Sequence, residues 1–469
     1  MMGLWVLMMI LVLTSTVLTA LGWMNRLLGW VVLGSVSLLG ILALMGWTPT
    51  WLSSALINDS PFMHAGHWLL LAHMLFYLAF SGGVLLTRPG PIGEHVILVL
   101  LAYIGMMIMM STTHLMLLFV GIELMSLCLY ALVALGERPI TGLEASLKYL
   151  VTGSMASLML LMGVLFVYLG SGGLDAALIM QQFNPALSST SATTASALGI
   201  VFVLSGLAFK LGLFPFHWWV PDVYEGSAPL VTTLIASAPK FAVVGFLIQW
   251  IDAMSGLPET WMMPLAFMGI SSILVGNGMA MIQTKVPRLL GYSSIAHMGF
   301  VLLAIWVGGQ VGWTAAVYYI IVYVYLATLM VGQWALLEKD FQPVMWLKDL
   351  ARWRGSLISS MVLMALLFFT LSGLPPLMGF FSKLLVFQSV LQSGLPGALV
   401  MTIAMVVITV LGVYYAISVV RQLFFGQQDG PGVTLVSKAS QYLLMTATSV
   451  MMVVTVYPQA LLSWIEGLI

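Results

Sequence analysis

Apolar runs of about twenty residues recur along the whole chain, the length a helix needs to cross the hydrocarbon core of a bilayer. Two architectures satisfy every backbone polar group in lipid, the α-helix and the closed β-barrel. A barrel strand alternates polar and apolar residues, and runs such as "HVILVLLAYIGMMIMM" (residues 95–110) do not. Only 6% of residues are charged, against about 25% in soluble domains. The fold class expected is therefore an all-α polytopic membrane protein.

Marking apolar segments and their polar breaks yields fourteen candidate helices, at residues 3–21, 27–47, 62–86, 95–111, 113–135, 145–169, 195–216, 228–250, 262–283, 288–308, 313–337, 356–391, 397–425 and 439–465. Arg26, Arg88, Arg138, Lys285, Arg288, Lys339, Lys348, Arg352, Arg354, Arg421 and Lys438 all fall in or beside odd-numbered connections. The even-numbered connections, including Gly170–Thr194, carry no Lys or Arg. By the positive-inside bias this asymmetry puts both termini on the outer face and supports an even helix count. Met1–Leu21 lacks a basic n-region and a clear cleavage site, so it reads as a retained first helix. Cys128 has no partner cysteine, which excludes an intrachain disulfide.

Two segments are interrupted by proline, the seventh at "GLFPF" (Gly212–Phe216) and the twelfth at "SGLPPLMGF" (Ser372–Phe380). The breaks lie five helices apart, and paired broken helices are a mark of inverted repeats around an ion path. The expected organisation is residues 1–90 (helices 1–3), a first five-helix unit at 91–255, a second, inverted unit at 256–427, and helix 14 at 428–469.

Five ionisable groups remain at apparent membrane depth: Glu123, Lys148, Lys210, Lys240 and Lys383. Each costs roughly 3 kcal/mol at a helix centre, on the order of 15 kcal/mol for the set, so each faces protein or water. Lys148 has two readings, as a buried functional group or as a lysine snorkelling to the interface. Glu123 sits mid-segment and needs a proton or a basic partner, which Lys210 can supply. Burial favours the neutral form of both groups and mutual attraction favours the charged forms, a balance suited to a proton relay. A static ion pair is the alternative. His297 lies beside Ser293 and Ser294 and reads as either a relay or a hydrogen-bonded packing residue. Glu94 at the start of the fourth segment suits the positive end of a helix as well as a transport role. Pro215 and "HWWVPDVYEG" read as a turn to the eighth helix, where Asp222 and Glu225 are either solvated or gather protons. His64, His67 and His73 form no recognisable metal site. The chain contains no phosphate-binding G-x-x-x-x-G-K-[ST] loop, no G-x-G-x-x-G and no C-x-x-C, so its driving force must come from elsewhere.

The stretches "LLFVGIELMSLCLYALVAL", "EASLKYLVTGSMAS", "FKLGLFPFHWWVPDVYEGSAPLVTTLIASAPK", "KVPRLLGYSSIAHMGF" and "GLPPLMGFFSK" together resemble the antiporter-like membrane subunits of respiratory complex I, the type I NADH:quinone oxidoreductase. The P-D-V-Y-E-G stretch resembles the N subunit more than the L- and M-type subunits. The likeness runs from about Glu94 to Arg421, while the first ninety residues share only hydrophobicity. The resemblance implies proton translocation driven by quinone reduction in a distant arm. It implies relay roles for Glu123, Lys210, Lys240 and Lys383, with Lys148 and Glu94 also at family positions. It further implies no cofactor in this chain, with NADH, FMN, iron–sulfur clusters and quinone in partner subunits. Neighbours would be a small K-type subunit and an M-type subunit, in a bacterial inner membrane. Rival readings are a cation/proton antiporter subunit, a passive brace for the membrane arm, and the same relay in a ferredoxin- or hydrogenase-linked complex.

Overall fold

A computed structural model describes residues 58–85, 92–136, 139–181, 190–254, 259–339, 342–343, 345–353, 358–395, 397–426, 434–435 and 437–469. The first two expected helices, the reading of Met1–Leu21, and Arg26, Arg88, Arg138 and Arg354 lie outside these residues. The described helices are α1 (Pro61–Leu85), α2 (Ile92–Met110), α3 (Leu115–Ala134), α4 (Pro139–Ser171), α5 (Ala176–Gln181), α6 (Thr190–Leu211), α7 (Trp219–Gly226), α8 (Pro229–Ala236) and α9 (Ala238–Ala253). They continue as α10 (Glu259–Met281), α11 (Val286–Val307), α12 (Gly309–Ala335), α13 (Ile358–Ser372), α14 (Met378–Gln392), α15 (Ala398–Phe425), α16 (Lys438–Val456) and α17 (Pro458–Glu466). Among the described residues, eleven spans are long and apolar enough to cross a membrane. The interrupted pair α13–α14 matches the expected twelfth segment, so segments three to fourteen each have a structural counterpart.

Connections sort to two ends of the bundle. At one end strand β1 (Leu337–Lys339) pairs with β2 (Gln342–Pro343) and with β3 (Thr434–Leu435), and Lys285 forms a bridge to Trp346. At the other, Asn58 N donates to Ser111 O at 2.8 Å, Asn58 Nδ2 to Gln249 Oε1 at 3.1 Å, and Trp313 Nε1 to Asp252 Oδ1 at 3.3 Å. The described odd-numbered connections therefore gather at one end, as the lysine and arginine pattern requires.

The breaks are built alike. Gly212 and Gly373 both take left-handed φ, 73° and 84°, which favours glycine. Gly212 N donates to Phe209 O at 3.0 Å and Leu213 N to Ala208 O at 2.9 Å. Gly373 N donates to Thr370 O at 3.1 Å and Leu374 N to Phe369 O at 3.2 Å. Each set returns two backbone donors to the last helical turn, a Schellman-type stop. A cis peptide follows at Phe214–Pro215 and at Pro375–Pro376.

Several boundaries depart from expectation. The seventh helix ends at Leu211 instead of running through its break, and "WVPDVYEG" is helix α7 and not a turn. Its Trp219, Val220, Val223 and Tyr224 are buried, so packing stabilises a helix that its length alone would not. The eighth segment is itself split at Ser237, where φ −118° and ψ −94° leave the helical region, and Pro239 stands in the first turn of α9. The α4 helix starts at Pro139, earlier than expected.

Helices α8 and α9 are buried from Pro229 to Ile251 and α11 nearly throughout, whereas α4 and α15 are the least buried of the long helices. Close approach relies on glycine where α10 crosses α11: a Cβ on Gly299 would lie 2.6 Å from Gly269 O and 2.9 Å from Ile273 N. The α2–α3 crossing repeats the device with Gly105 and Gly121, whose Cβ positions lie 2.6 Å and 2.8 Å from each other's carbonyls. Small residues letting backbones touch are the usual means of helix association where lipid removes the hydrophobic drive. Gly299→Val should destabilise the chain by about 1–3 kcal/mol. Gly278→Ala, where nothing lies within 4 Å, should be neutral or slightly stabilising. Thermal unfolding of the detergent-solubilised protein measures both, and equal midpoints would refute the close-packing account.

Candidate functional site

Lys210 stands in the last turn of α6 and is buried, 6% exposed. Its Nζ donates to Ser126 Oγ at 2.7 Å and to Tyr130 OH at 3.4 Å, both on α3. The ammonium also lies over the Tyr130 and Phe209 rings, 5.8 Å from each centroid, a contact that favours cations. The expected direct ion pair with Glu123 is absent. Glu123 is half-buried and accepts a hydrogen bond from Ser157 on α4. It attracts Lys210 through space. Glu123, Ser126 and Tyr130 follow i, i+3, i+7 spacing on α3, one face of a helix. The first break does not supply Lys210 with freed backbone groups. Phe209 O is taken by Gly212 N and by Trp219 Nε1 at 2.9 Å, so the broken turn closes on itself and on α7.

Lys240 follows the Ser237 break and is 1% exposed. Its Nζ donates to Ser294 Oγ on α11 and to Tyr323 OH on α12 at 3.4 Å, and Ser294 and Tyr323 share a bond of 2.7 Å. One turn further along α11, His297 Nδ1 meets Tyr319 OH at 2.8 Å, and its ring tilts against Tyr323 at 5.3 Å. His297 is within electrostatic range of both Lys240 and Lys383. Lys383, 5% exposed on α14, donates to Ser372 O at 2.6 Å and lies 5.5 Å from the Phe300 ring centroid. The second break leaves a carbonyl at the end of α13 for a buried ammonium. Among the described residues no salt bridge involves Lys210, Lys240 or Lys383. Hydroxyls, a carbonyl and aromatic faces solvate them instead. Ser126, Tyr130, Tyr319 and Tyr323 were not singled out from sequence; the i, i+4 spacing of Tyr319 and Tyr323 puts both on one face of a helix but does not say which lysine they meet.

The remaining candidates lie away from this row. Lys148 is exposed and bridges Glu144 at 2.8 Å and Asp222 at 3.6 Å, with its side chain 50% accessible. Glu94 is exposed in the first turn of α2. Asp222 and Glu225 are not free carboxylates: Arg288 Nη1 reaches Asp222 Oδ1 at 2.7 Å and Glu225 Oε2 at 3.0 Å, and Lys285 pairs with Glu225. Partial burial opposes the Glu225 charge, but the hydrogen bonds from Lys285 and Arg288 outweigh it and hold the carboxyl below its ordinary range. His73 links Tyr103 at 2.5 Å and Thr328 at 2.8 Å, and His95 meets Tyr77 at 3.2 Å; these rings tie helices together. No group of three metal-ligating side chains occurs among the described residues.

A buried ammonium with neutral partners is a poor source of stability, since desolvation offsets its bonds. Lys240→Met keeps the methylene stem and removes the charge. It should leave the thermal midpoint unchanged or raise it, while a fall of several degrees would mark Lys240 as a structural tie.

The profile of the NADH:quinone oxidoreductase/Mrp antiporter transmembrane family matches residues 112–412. NADH-quinone oxidoreductase subunit N of Laribacter hongkongensis is 37% identical over 339 residues, covering 72% of this chain and 68% of that protein. Its namesake from Neisseria gonorrhoeae is 34% identical over 375 residues, covering 79% and 76%. A chain of respiratory complex I from Thermus thermophilus superposes with a TM-score of 0.79 at 28% identity, over 97% of this chain and 98% of that one. A chain of the Mrp complex from a Dietzia species shares the fold, with a TM-score of 0.83 at 19% identity over 99% and 96%. With its buried lysine row inside this fold, the chain belongs to the NADH:quinone oxidoreductase/Mrp antiporter transmembrane family, among the NADH-quinone oxidoreductase subunit N proteins.

Proposed function

We propose that this chain is a proton-translocating membrane subunit of NADH:quinone oxidoreductase, and that Glu123, Lys210, Lys240, His297 and Lys383 form its relay. The observation that carries the reading is the row of three buried lysines with no carboxylate in contact. An ammonium fixed by a carboxylate is locked in its charged form. One solvated by hydroxyls and aromatic faces can lose its proton when a charge arrives nearby. At an effective dielectric of about 20, a unit charge ~8 Å away changes a site's preference for a proton by roughly 2 kcal/mol, a factor of ~30. Displacement of Glu123 relative to Lys210 is a change of this kind.

The proton released by Lys210 passes through hydroxyls and water to Lys240. From Lys240 the chain Ser294–Tyr323 leads toward Tyr319–His297, and thence to Lys383 beside the second break. Hydroxyls both accept and donate, so each can pass a proton without holding a charge. Lys148, exposed in the third turn of α4, and Glu94, exposed in the first turn of α2, take part at most at the mouths of the path. Residues 91–255 and 256–427 act as two like units, a division supported by the matched breaks at Gly212 and Gly373 and the matched glycine crossings. The basic end of the bundle faces the cytoplasm of a bacterial inner membrane, and both termini face outward. NADH, FMN, iron–sulfur clusters and quinone reside in partner subunits, and a K-type and an M-type subunit are the membrane neighbours.

In the complex carrying Lys210→Ala, reconstituted in liposomes, NADH-driven proton uptake should fall at least about tenfold with assembly unchanged. A normal proton-to-electron ratio would remove Lys210 from the relay. Purification of the complex through this chain, followed by an NADH oxidation assay, tests the assignment to NADH:quinone oxidoreductase. Recovery of cation exchange without NADH oxidation would point to the antiporter branch instead.

A further inference from the structure

The eight-residue helix α7 touches both ends of the proposed Lys210–Lys240 step. Its Trp219 donates to Phe209 O, next to Lys210, and stacks on Phe209 at 5.4 Å and on Tyr149 at 4.5 Å. Tyr149 in turn meets Tyr130, a hydrogen-bond partner of Lys210, edge-on at 4.6 Å. Five residues on, the buried Tyr224 hydroxyl lies 3.4 Å from Ser294 Oγ, the group that accepts from Lys240. The outer face of the same helix carries Asp222 and Glu225, clamped by Arg288 of α11 and by Lys285 just before it, and reached by Lys148 from α4. One short element therefore couples a charge cluster at the basic end to the partners of two buried lysines.

We propose that α7 is a positioning strut for the Lys210-to-Lys240 transfer, and that Arg288, through Asp222 and Glu225, sets its seat. The inference rests on the relay reading above and assigns Arg288 and Tyr224 as positioning residues rather than proton carriers. The geometry favours a strut over a passive connector. A helix of two turns has little stability of its own, so its position follows its contacts. Trp219, Tyr224 and the acidic pair point in different directions and fix it at three places. A shift of α7 moves the Ser294 and Tyr130 environments together. Misplacing a donor by about 1 Å is enough to cost roughly a hundredfold in a positioned reaction. The cluster is partly exposed, with side chains 24–50% accessible, so its attractions are screened by salt.

The test uses the intact complex in liposomes and reads protons taken up per NADH oxidised. Arg288→Gln should lower that ratio about fivefold, allowing for partial screening of the lost pairs. Both Arg288 contacts run through the single nitrogen Nη1, so Arg288→Lys should restore most of the ratio. An Arg288→Gln complex that assembles and pumps normally, while Lys210→Ala does not, overturns the strut and leaves the relay. Equal impairment of Arg288→Gln and Arg288→Lys also overturns it, because the charge would not be what matters. If Arg288→Gln fails to assemble, Tyr224→Phe decides the matter: it removes only the hydroxyl facing Ser294 and should lower the ratio, and normal pumping overturns the proposal. Normal pumping in Lys210→Ala removes the relay and the strut together.

Discussion

A charged ammonium inside an apolar bundle must be solvated by the protein, and the way this chain does so sets the character of everything around it. Three lysines are buried without a touching carboxylate. Lys210 and Lys240 have hydroxyls within reach and Lys383 a backbone carbonyl, and each has an aromatic face between 5.5 and 5.8 Å from its nitrogen. Such partners reduce the cost of the charge without fixing it. A row of full ion pairs would be locked, and a row of bare lysines would be neutral.

The second helix break meets the same need. A continuous helix consumes its own carbonyls, so it offers nothing to a cation. Ending α13 at Ser372 frees one for Lys383, and the glycine at 373 makes the sharp stop possible. The first break uses the same backbone stop but spends its carbonyls on Trp219 and the chain itself. Its effect is to separate α7 from α6, and α7 then carries the acidic pair to α11. Similar local chemistry thus serves two ends: solvation of Lys383 at the second break, and linkage of α7 to α11 at the first.

Much of the architecture was legible beforehand. The apolar segments three to fourteen were found in order because each helix must cover the bilayer's thickness with its own residues, a local requirement. The clustering of basic connections at one end was readable for the same reason. The misread parts were those in which packing overrides local preference. "WVPDVYEG" looks like a turn from its prolines and acids and becomes a helix because its apolar side is buried. The Ser237 split was masked by a continuous apolar run. For Glu123 the sequence left open a proton or a basic partner, with Lys210 the one on offer. The structure gives Lys210 to Ser126 and Glu123 to Ser157.

By itself the sequence determined the fold class, the crossing segments, the two proline breaks and the identity of the ionisable groups that had to be enclosed. Each of these depends on composition within one helix length. Only the tertiary structure decided what each buried charge touches: Lys210 reaches Ser126 across 84 residues of chain, and Lys240 reaches Ser294 across 54. It also decided that Asp222 and Glu225 are clamped and that Lys148 stays outside with them. Contacts of that range arise from helix packing, where shape and glycine crossings choose the neighbours, and no periodicity within a single segment encodes them.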